Sequence, residues 1–589
     1  AGGYSEAFKK EYLAYYGVDW EPPHTNINAK YRSSRLKAYL YGRLVRHLSR
    51  NIKEYGRKTG KEIHFYVATH SLVNYAQWKI MSPESRLLDV DEVDGFIAQV
   101  WTGTSGTGNV YEGHYKSRTF ETAYLEYGIM QELVKGTDKE VWFLQDPVED
   151  NPEHGWEEYE DKYKKTLTAA LFWPDVDHYE VCPWPNRVFK GRYPRKVGLA
   201  EGMIPTEDME GAKNIPDTYA TFLASMIQTL GDMTKGENET EKDAVGVFLA
   251  DSCMYQRTYP DHVEHHGQKI NLSGMEDWMN RLIFQKEEER QLLLSMEKME
   301  YAYKECCAFP DWFGLTLPLL KYGLPIQPVY FDHMVRYDEY LRKYRYLILS
   351  YEFMKPESEE FHHKLVEWVK QGGTLFYIGK DFDPYNYLQE WWQKFFCDTP
   401  AQHLFAEFGM DKEPANGCYR IGEGNVLVWN EVPALLSVNE AIADKYRNWI
   451  REGLKMGGYH WKMCNYLSVR RDPYIVIASM QESDMGSVYT KEGLFVDLYE
   501  DKYPVVERVL VEPGQEKLLF DLEKIKEDVR IIATAARIEN MVCENGQLSI
   551  EAKAIDHIQV NMRIRLPGKP EDLCAHTESG KNMELQSVW

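Results

Sequence analysis

Between residues 61 and 189 the chain repeats one unit: a short apolar run, a polar break, then an amphipathic stretch. KEIHFYVATHS (61–71), DGFIAQVWTGT (94–104), EVWFLQDP (140–147) and HYEVCPWPNRVF (178–189) read as strands. TFETAYLEYGIMQELVKG (119–136) and the stretch 156–173 read as helices between them. A strand that alternates with a helix returns to its sheet as a parallel neighbour, and the helices cover the sheet. This alternation is the strongest constraint on the fold. It follows a long helical lead over 4–60, where Leu36, Leu40, Leu44 and Leu48 recur at i, i+4 spacing on one face. Ser33 can cap that helix and Gly56 can end it.

Each of the four strands ends in groups with chemistry. The first runs into Thr69, His70 and Ser71; the second into Gln99, Trp101 and Thr102. The third empties into an acidic burst with Gln145, Asp146 and Glu149, and the fourth carries Glu180 and ends in Trp184. Closed βα barrels place their catalytic groups at such carboxyl ends. Paired carboxylates serve glycoside hydrolysis, one as a proton donor and the other as an ionised nucleophile. Asp146 stands where rigid backbone would position it, and Glu149 has the longer reach. The plainer readings are an Asx cap on the Pro147 turn for Asp146 and a solvated loop acid for Glu149. Glu180 alternates in phase with Cys182 and Trp184, so it shares their face, where an Arg or Tyr could equally hold it. His70 could bind a sugar hydroxyl or satisfy a loop.

A second α/β region follows a helix near 215–233 and the polar break 235–243. AVGVFLADS, GLPIQPVYF, YRYLILSYE, GTLFYIG and NVLVWN read as its strands, and SEEFHHKLVEWVKQGG is a helix closed by a glycine pair. From about 465 onward the runs become short, alternating and separated by Gly, Pro and Asp, the texture of an antiparallel β-sandwich. The expected domains are therefore 1–234, 235–464 and 465–589. A formal charge of −23 disfavours nucleic acid and anionic membrane surfaces as partners. Nine scattered cysteines with no CxxC pair suggest neither a zinc site nor a disulfide framework, and favour a reducing compartment such as the cytoplasm. No clustered histidines suggest a metal. GTSGTGNVYEG lacks the spacing of a dinucleotide loop, so no cofactor is expected. Cys253, in ADSCMY, lacks the tight glycine-flanked turn of a nucleophile elbow, which disfavours an amidotransferase-like enzyme.

The order of parts resembles glycoside hydrolase family 42 β-galactosidases, within the large clan of retaining glycosidases. The segment YRYLILSYEFMKPESEEFHHKLVEWVKQGGTLFYIG is similar to the flavodoxin-like trimerisation domain of that family, and SEAFKKEYLAYYG resembles the segment after its acid/base glutamate. The resemblance implies the carboxyl-terminal half of a (β/α)8 barrel, strands five to eight, then the flavodoxin-like domain and the β-sandwich. It implies a homotrimer acting on β-galactosides or related hexosides, without cofactor. FLQD lies over the family's "WLME", so Asp146 takes the nucleophile's position, although an aspartate replaces the usual glutamate; either Asp146 serves or Glu149 does. His70, Gln99, Trp101 and Trp184 then line the sugar site, with Glu180 as a further carboxyl. Strands one to four, with the acid/base glutamate, would lie outside this sequence. The rival expectation is a carbohydrate-binding or assembly protein whose barrel no longer catalyses.

Overall fold

The computed structural model describes residues 3–100, 102–112, 114–148, 152–197, 205–236, 245–256, 260, 262–265, 268–271, 309–381, 383–438, 440–556 and 558–587. Two helices lead, α1 (Glu6–Tyr16) and α2 (Ile27–Thr59), each N-capped by a polar side chain, Ser5 and Asn26. Four parallel strands follow in sequential order: β1 (Tyr66–Thr69), β2 (Gly95–Ala98), β3 (Glu140–Gln145) and β4 (Tyr179–Val181). Their crossovers include α3 (Leu72–Trp78), α4 (Thr119–Val134) and α5 (Trp156–Leu171). The fourth strand is shorter than its sequence suggests. It stops at Val181, Cys182 takes a positive φ of 52°, and residues Pro185–Phe189 turn into a short helix because two prolines break the ladder.

The two faces of this sheet differ. Thr69, Phe96, Ala98, Val141 and Phe143 are buried on one, against helices. On the other, Ala68 is exposed, Ile97, Trp142 and Glu180 are half-buried, and Leu144, beside Glu180, is buried. The outer half of α2 matches this openness. Leu36 is buried, but Leu44 and Leu48 are 54% and 45% exposed, with Tyr41 and Tyr55 beside them. The leucine stripe read from the sequence is thus a contact face only at its start.

After α6 (Asp217–Asp232) comes a six-stranded sheet. Its strands are β5 (Val245–Leu249), β6 (Ile326–Tyr330), β7 (Tyr346–Leu349), β8 (Thr374–Ile378), β9 (Gly417–Ile421) and β10 (Gly424–Trp429). The order is β6-β5-β7-β8-β10-β9, parallel except for the antiparallel edge strand β9, which is the 2-1-3-4-5 winding of a doubly wound sheet plus one hairpin strand. Between them lie α7 (Pro310–Leu320), α8 (Glu360–Lys370) and α9 (Pro400–Glu407), and α10 (Glu440–Met456) follows the sheet. The carboxyl-terminal region is antiparallel: β11 (Tyr466–Arg471), β12 (Tyr474–Ser479), β13 (Tyr489–Asp497), β14 (Val505–Val511) and β15 (Glu516–Asp521), in the order β11-β12-β15-β13-β14. Two separate two-stranded ladders complete it, 530–534 with 562–565 and 537–544 with 547–553.

Helix α4 joins the parts. Every residue from Thr119 to Leu133 is buried, so it has no solvent face at all. Gly128 lets the Trp173 indole lie where a side chain would be, and the indole donates to the Tyr124 carbonyl at 2.9 Å. Three buried glutamates on this helix each face a different neighbour. Glu121 pairs with Lys321. Glu132 accepts from Tyr340, from Tyr344 at 2.8 Å and from Lys343 at 2.8 Å; against burial, Lys343 and Lys135, with the Tyr340 hydrogen bond, hold its carboxyl below the usual range. Glu126 faces Asn74 and Thr104, and burial pushes it up to about 8.

This gives a pH dependence with a definite sign. Folded, Glu126 keeps its proton to about pH 8; unfolded, it loses it near the ordinary Glu value. Between those limits the folded state holds one more proton, so stability falls as pH rises, by about 1.4 kcal/mol per unit. Urea unfolding of Glu126→Gln at pH 6 and pH 8 should show the variant gaining on the wild type at the higher pH. Equal differences at both pH values would contradict this.

Candidate functional site

The carboxyl ends of β1 to β4 form one edge, and hydrogen bonds continue the ladder past the strands. The Gln99 amide donates to Thr69 at 2.7 Å, and the Cys182 amide to Gln145 at 3.0 Å. His70 Nδ1 lies 3.1 Å from the Gln99 carbonyl, and the ring meets Trp78 and Tyr75 edge-on. His70 and Gln99 are thus brought together as half-exposed neighbours.

Beneath His70 lies an acid that the sequence reading missed. Glu84 accepts from Thr69, Ser82 and Tyr75, and the Tyr75 hydroxyl also accepts from the His70 amide at 3.0 Å. Burial raises the Glu84 carboxyl, and the hydroxyls oppose that rise. In the sequence it sits in a polar segment, SPESRLL, indistinguishable from a solvated loop.

Asp146 is 4% exposed, and its Oδ1 accepts from the Val148 amide at 3.2 Å. That is an Asx turn around Pro147, whose carbonyl in turn accepts from Tyr219 at 3.1 Å. The Asp146 charge is felt by Tyr163, Tyr193, Tyr219 and Cys182. Burial first, and then Asp146, push the Cys182 thiol up to about 12. Glu180 differs. It is half-buried on the open face, beside Leu144 in register, with no hydrogen bond or ion pair to any described residue. Burial raises its carboxyl. Trp184 is 61% exposed at the start of the short helix. Glu149 and Trp101 lie outside the described residues.

A half-buried carboxyl that burial raises can donate a proton, and the His70 imidazole and Gln99, toward the other edge of the sheet, can orient hydroxyls. The edge thus offers one acid and polar binding groups. Among the described residues no group of three or more His, Cys, Asp or Glu could hold a metal ion, and no helix is long and apolar enough to cross a membrane.

Two other locations are filled by protein. Doubly wound sheets bind ligands beyond their carboxyl edge. Here Ser85 donates to Asp251, Arg35 pairs with Glu357 at 3.1 Å, and Arg336 donates to the Ser85 carbonyl at 2.8 Å, so the preceding region occupies that crevice. Cys253 is fully buried there, with its thiol toward the Leu72 carbonyl at 3.9 Å, which suits packing rather than nucleophilic attack. A cavity of about 170 Å³ opens where α4, α5 and the carboxyl-terminal sheet meet, but its Arg118, Lys116 and Lys321 are all paired with Glu482.

No protein-family model matches the chain, and no curated protein matches it. Among solved structures, a catalytic mutant of Gan42B, a GH42 beta-galactosidase from G. stearothermophilus, is 9% identical, with 88% of this chain and 73% of that one covered at a TM-score of 0.46. A beta-galactosidase from Bacillus circulans sp. alkalophilus is 11% identical, with 87% and 74% covered at a TM-score of 0.44.

Stability separates the roles of the two acids. Asp146→Ala loses a buried turn bond and should cost about 1–3 kcal/mol. Glu180→Gln removes an acid with no cation partner among the described residues and should change stability at pH 7 by less than about 0.5 kcal/mol. Urea midpoints of both variants check this; equal losses would mean that Glu180 is structural.

Proposed function

We propose that the chain is a glycosidase-type scaffold carrying one half of a βα barrel, and that Glu180 is its working acid. The carrying observation is the open sheet face with a half-buried carboxyl, unpaired among the described residues, near its carboxyl edge. Parallel sheets are ordinarily covered on both faces. The sequential order of β1 to β4 and the outward apolar stripe of α2 support further βα units continuing this layer. The sequence resemblance to family 42 supports a β-linked galactoside or related hexoside as substrate. On this reading His70, Gln99, Trp101 and Trp184 line the sugar site. A retaining reaction needs a second carboxyl about 5–5.5 Å from the first. Because Asp146 is engaged in its turn, Glu149 or an acid from the completing half serves as that second group.

A second reading, a carbohydrate-binding or assembly protein, draws support from the same Asx turn, which leaves Asp146 a structural task. An activity test separates the two. With a companion half-barrel supplied in cis or in trans, nitrophenyl β-galactoside hydrolysis should appear and fall about 10²–10⁴-fold in Glu180→Gln. Saccharide binding without turnover in every combination would favour the second reading.

The doubly wound region carries no catalytic constellation among its described residues, and Phe396 stands 91% exposed on it. We assign self-association as a homotrimer to this region. Light scattering at micromolar concentration should give a trimer mass, and a monomer would contradict the assignment.

A further inference from the structure

Two histidines in the doubly wound region face each other in a way that the glycosidase reading does not use. His362 on α8 is fully buried, and His403 on α9 is nearly so. Their Nδ1 atoms lie 2.9 Å apart, and His362 Nε2 lies 2.7 Å from the Tyr351 hydroxyl. Trp391 meets both rings at 5.1 Å, and Phe395 meets His403 at 4.5 Å. The stretch 391–408, comprising a 3-10 turn, a loop and α9, is thus fastened to α8 by a nitrogen–nitrogen hydrogen bond inside an aromatic cage, beside the outer His363–Glu407 pair and the Trp391 indole bond to the Pro356 carbonyl at 2.9 Å.

A bond between two Nδ1 atoms needs one proton and one lone pair. It survives with both rings neutral, or with His403 charged and donating to a neutral His362. It cannot survive once both rings are charged, because both Nδ1 atoms are then donors. We propose that this pair is an acid-sensitive latch: entry of the second proton breaks the bond and releases the 391–408 stretch from α8.

The groups facing the pair are few. Tyr351 lies beyond the end of β7, Glu359 and His363 are on or beside α8, Glu407 is on α9 and Lys412 lies beyond it. His363 pairs with Glu407 at 3.2 Å on the outer side. Burial first, and then the partner ring and His363, hold His362 well below the usual histidine range. Burial lowers His403; Glu407 and Glu359 oppose that, while His363 and Lys412 add to it. With both folded values depressed, the latch stabilises fully above the ordinary histidine pKa and loses that contribution as pH falls. Release uncovers Trp391 and Trp392, both now buried, beside the exposed Phe395 and Phe396, so acid creates an apolar patch.

Amide hydrogen exchange of the intact chain between pH 7.5 and pH 5, corrected for the intrinsic rate, tests this directly. Protection in 391–408 should fall about tenfold or more below about pH 6 while α4 stays protected. His362→Phe with His403→Leu should hold the stretch closed across the range. Unchanged wild-type protection down to pH 5, or loss in step with α4, would overturn the latch, whether or not the double variant folds. A folded double variant that opens like the wild type would also overturn it.

Discussion

A helix with no solvent face is what the rest of the molecule is arranged around. From Thr119 to Leu133 every side chain of α4 is buried, so each of its polar groups must be answered by a neighbour. The parallel sheet covers one side, with the Tyr127 ring against Phe143 at 4.4 Å. Glu132 meets Tyr340, Lys343 and Tyr344 around the doubly wound sheet, and Glu121 reaches Lys321, which also pairs with Glu482 at 3.0 Å. Buried ion pairs add little net stability over an apolar replacement, but breaking one costs about 3–5 kcal/mol. Such pairs therefore fix which surfaces meet, and here they fix three regions on one helix.

That arrangement decides where chemistry can occur. The face of β1 to β4 turned toward α4 is filled, and the crevice of the second sheet is closed by Ser85, Arg35 and Arg336. Among the described residues, polar and accessible ground remains at the carboxyl edge of the first sheet and on its open face. Glu180 stands there with no partner among the described residues, which is costly for a half-buried acid unless something else uses it. Asp146, two positions beyond the register partner of Glu180, went the other way and became part of a turn.

Periodicity carried the reading of the parallel strands, because apolar runs flanked by amphipathic helices leave few topologies. The helix predicted over 119–136 is α4, yet its total burial was not legible, since Glu121, Glu126 and Glu132 read as solvated charges until their partners are placed. The hairpin of 108–111 with 114–117 and the edge strand β9 were also missed, since neither has an apolar run of its own. In the candidate site, the His70–Gln99 neighbourhood follows from strand ends in register. The Asp146 turn and the Glu84 network depend on side chains folding back locally, and spacing does not encode that choice.

The proposed chemistry depends on one face of the first sheet being open. Ala68 lies on that face, on the edge strand β1, and is exposed. The thiol of Ala68→Cys, followed by peptide mapping after brief maleimide labelling, reports the face directly. An open face gives labelling comparable with the exposed Cys418 and Cys543 in the same chain. A thiol as protected as the buried Cys253 would mean that the face is covered, and the open-sheet account would fail.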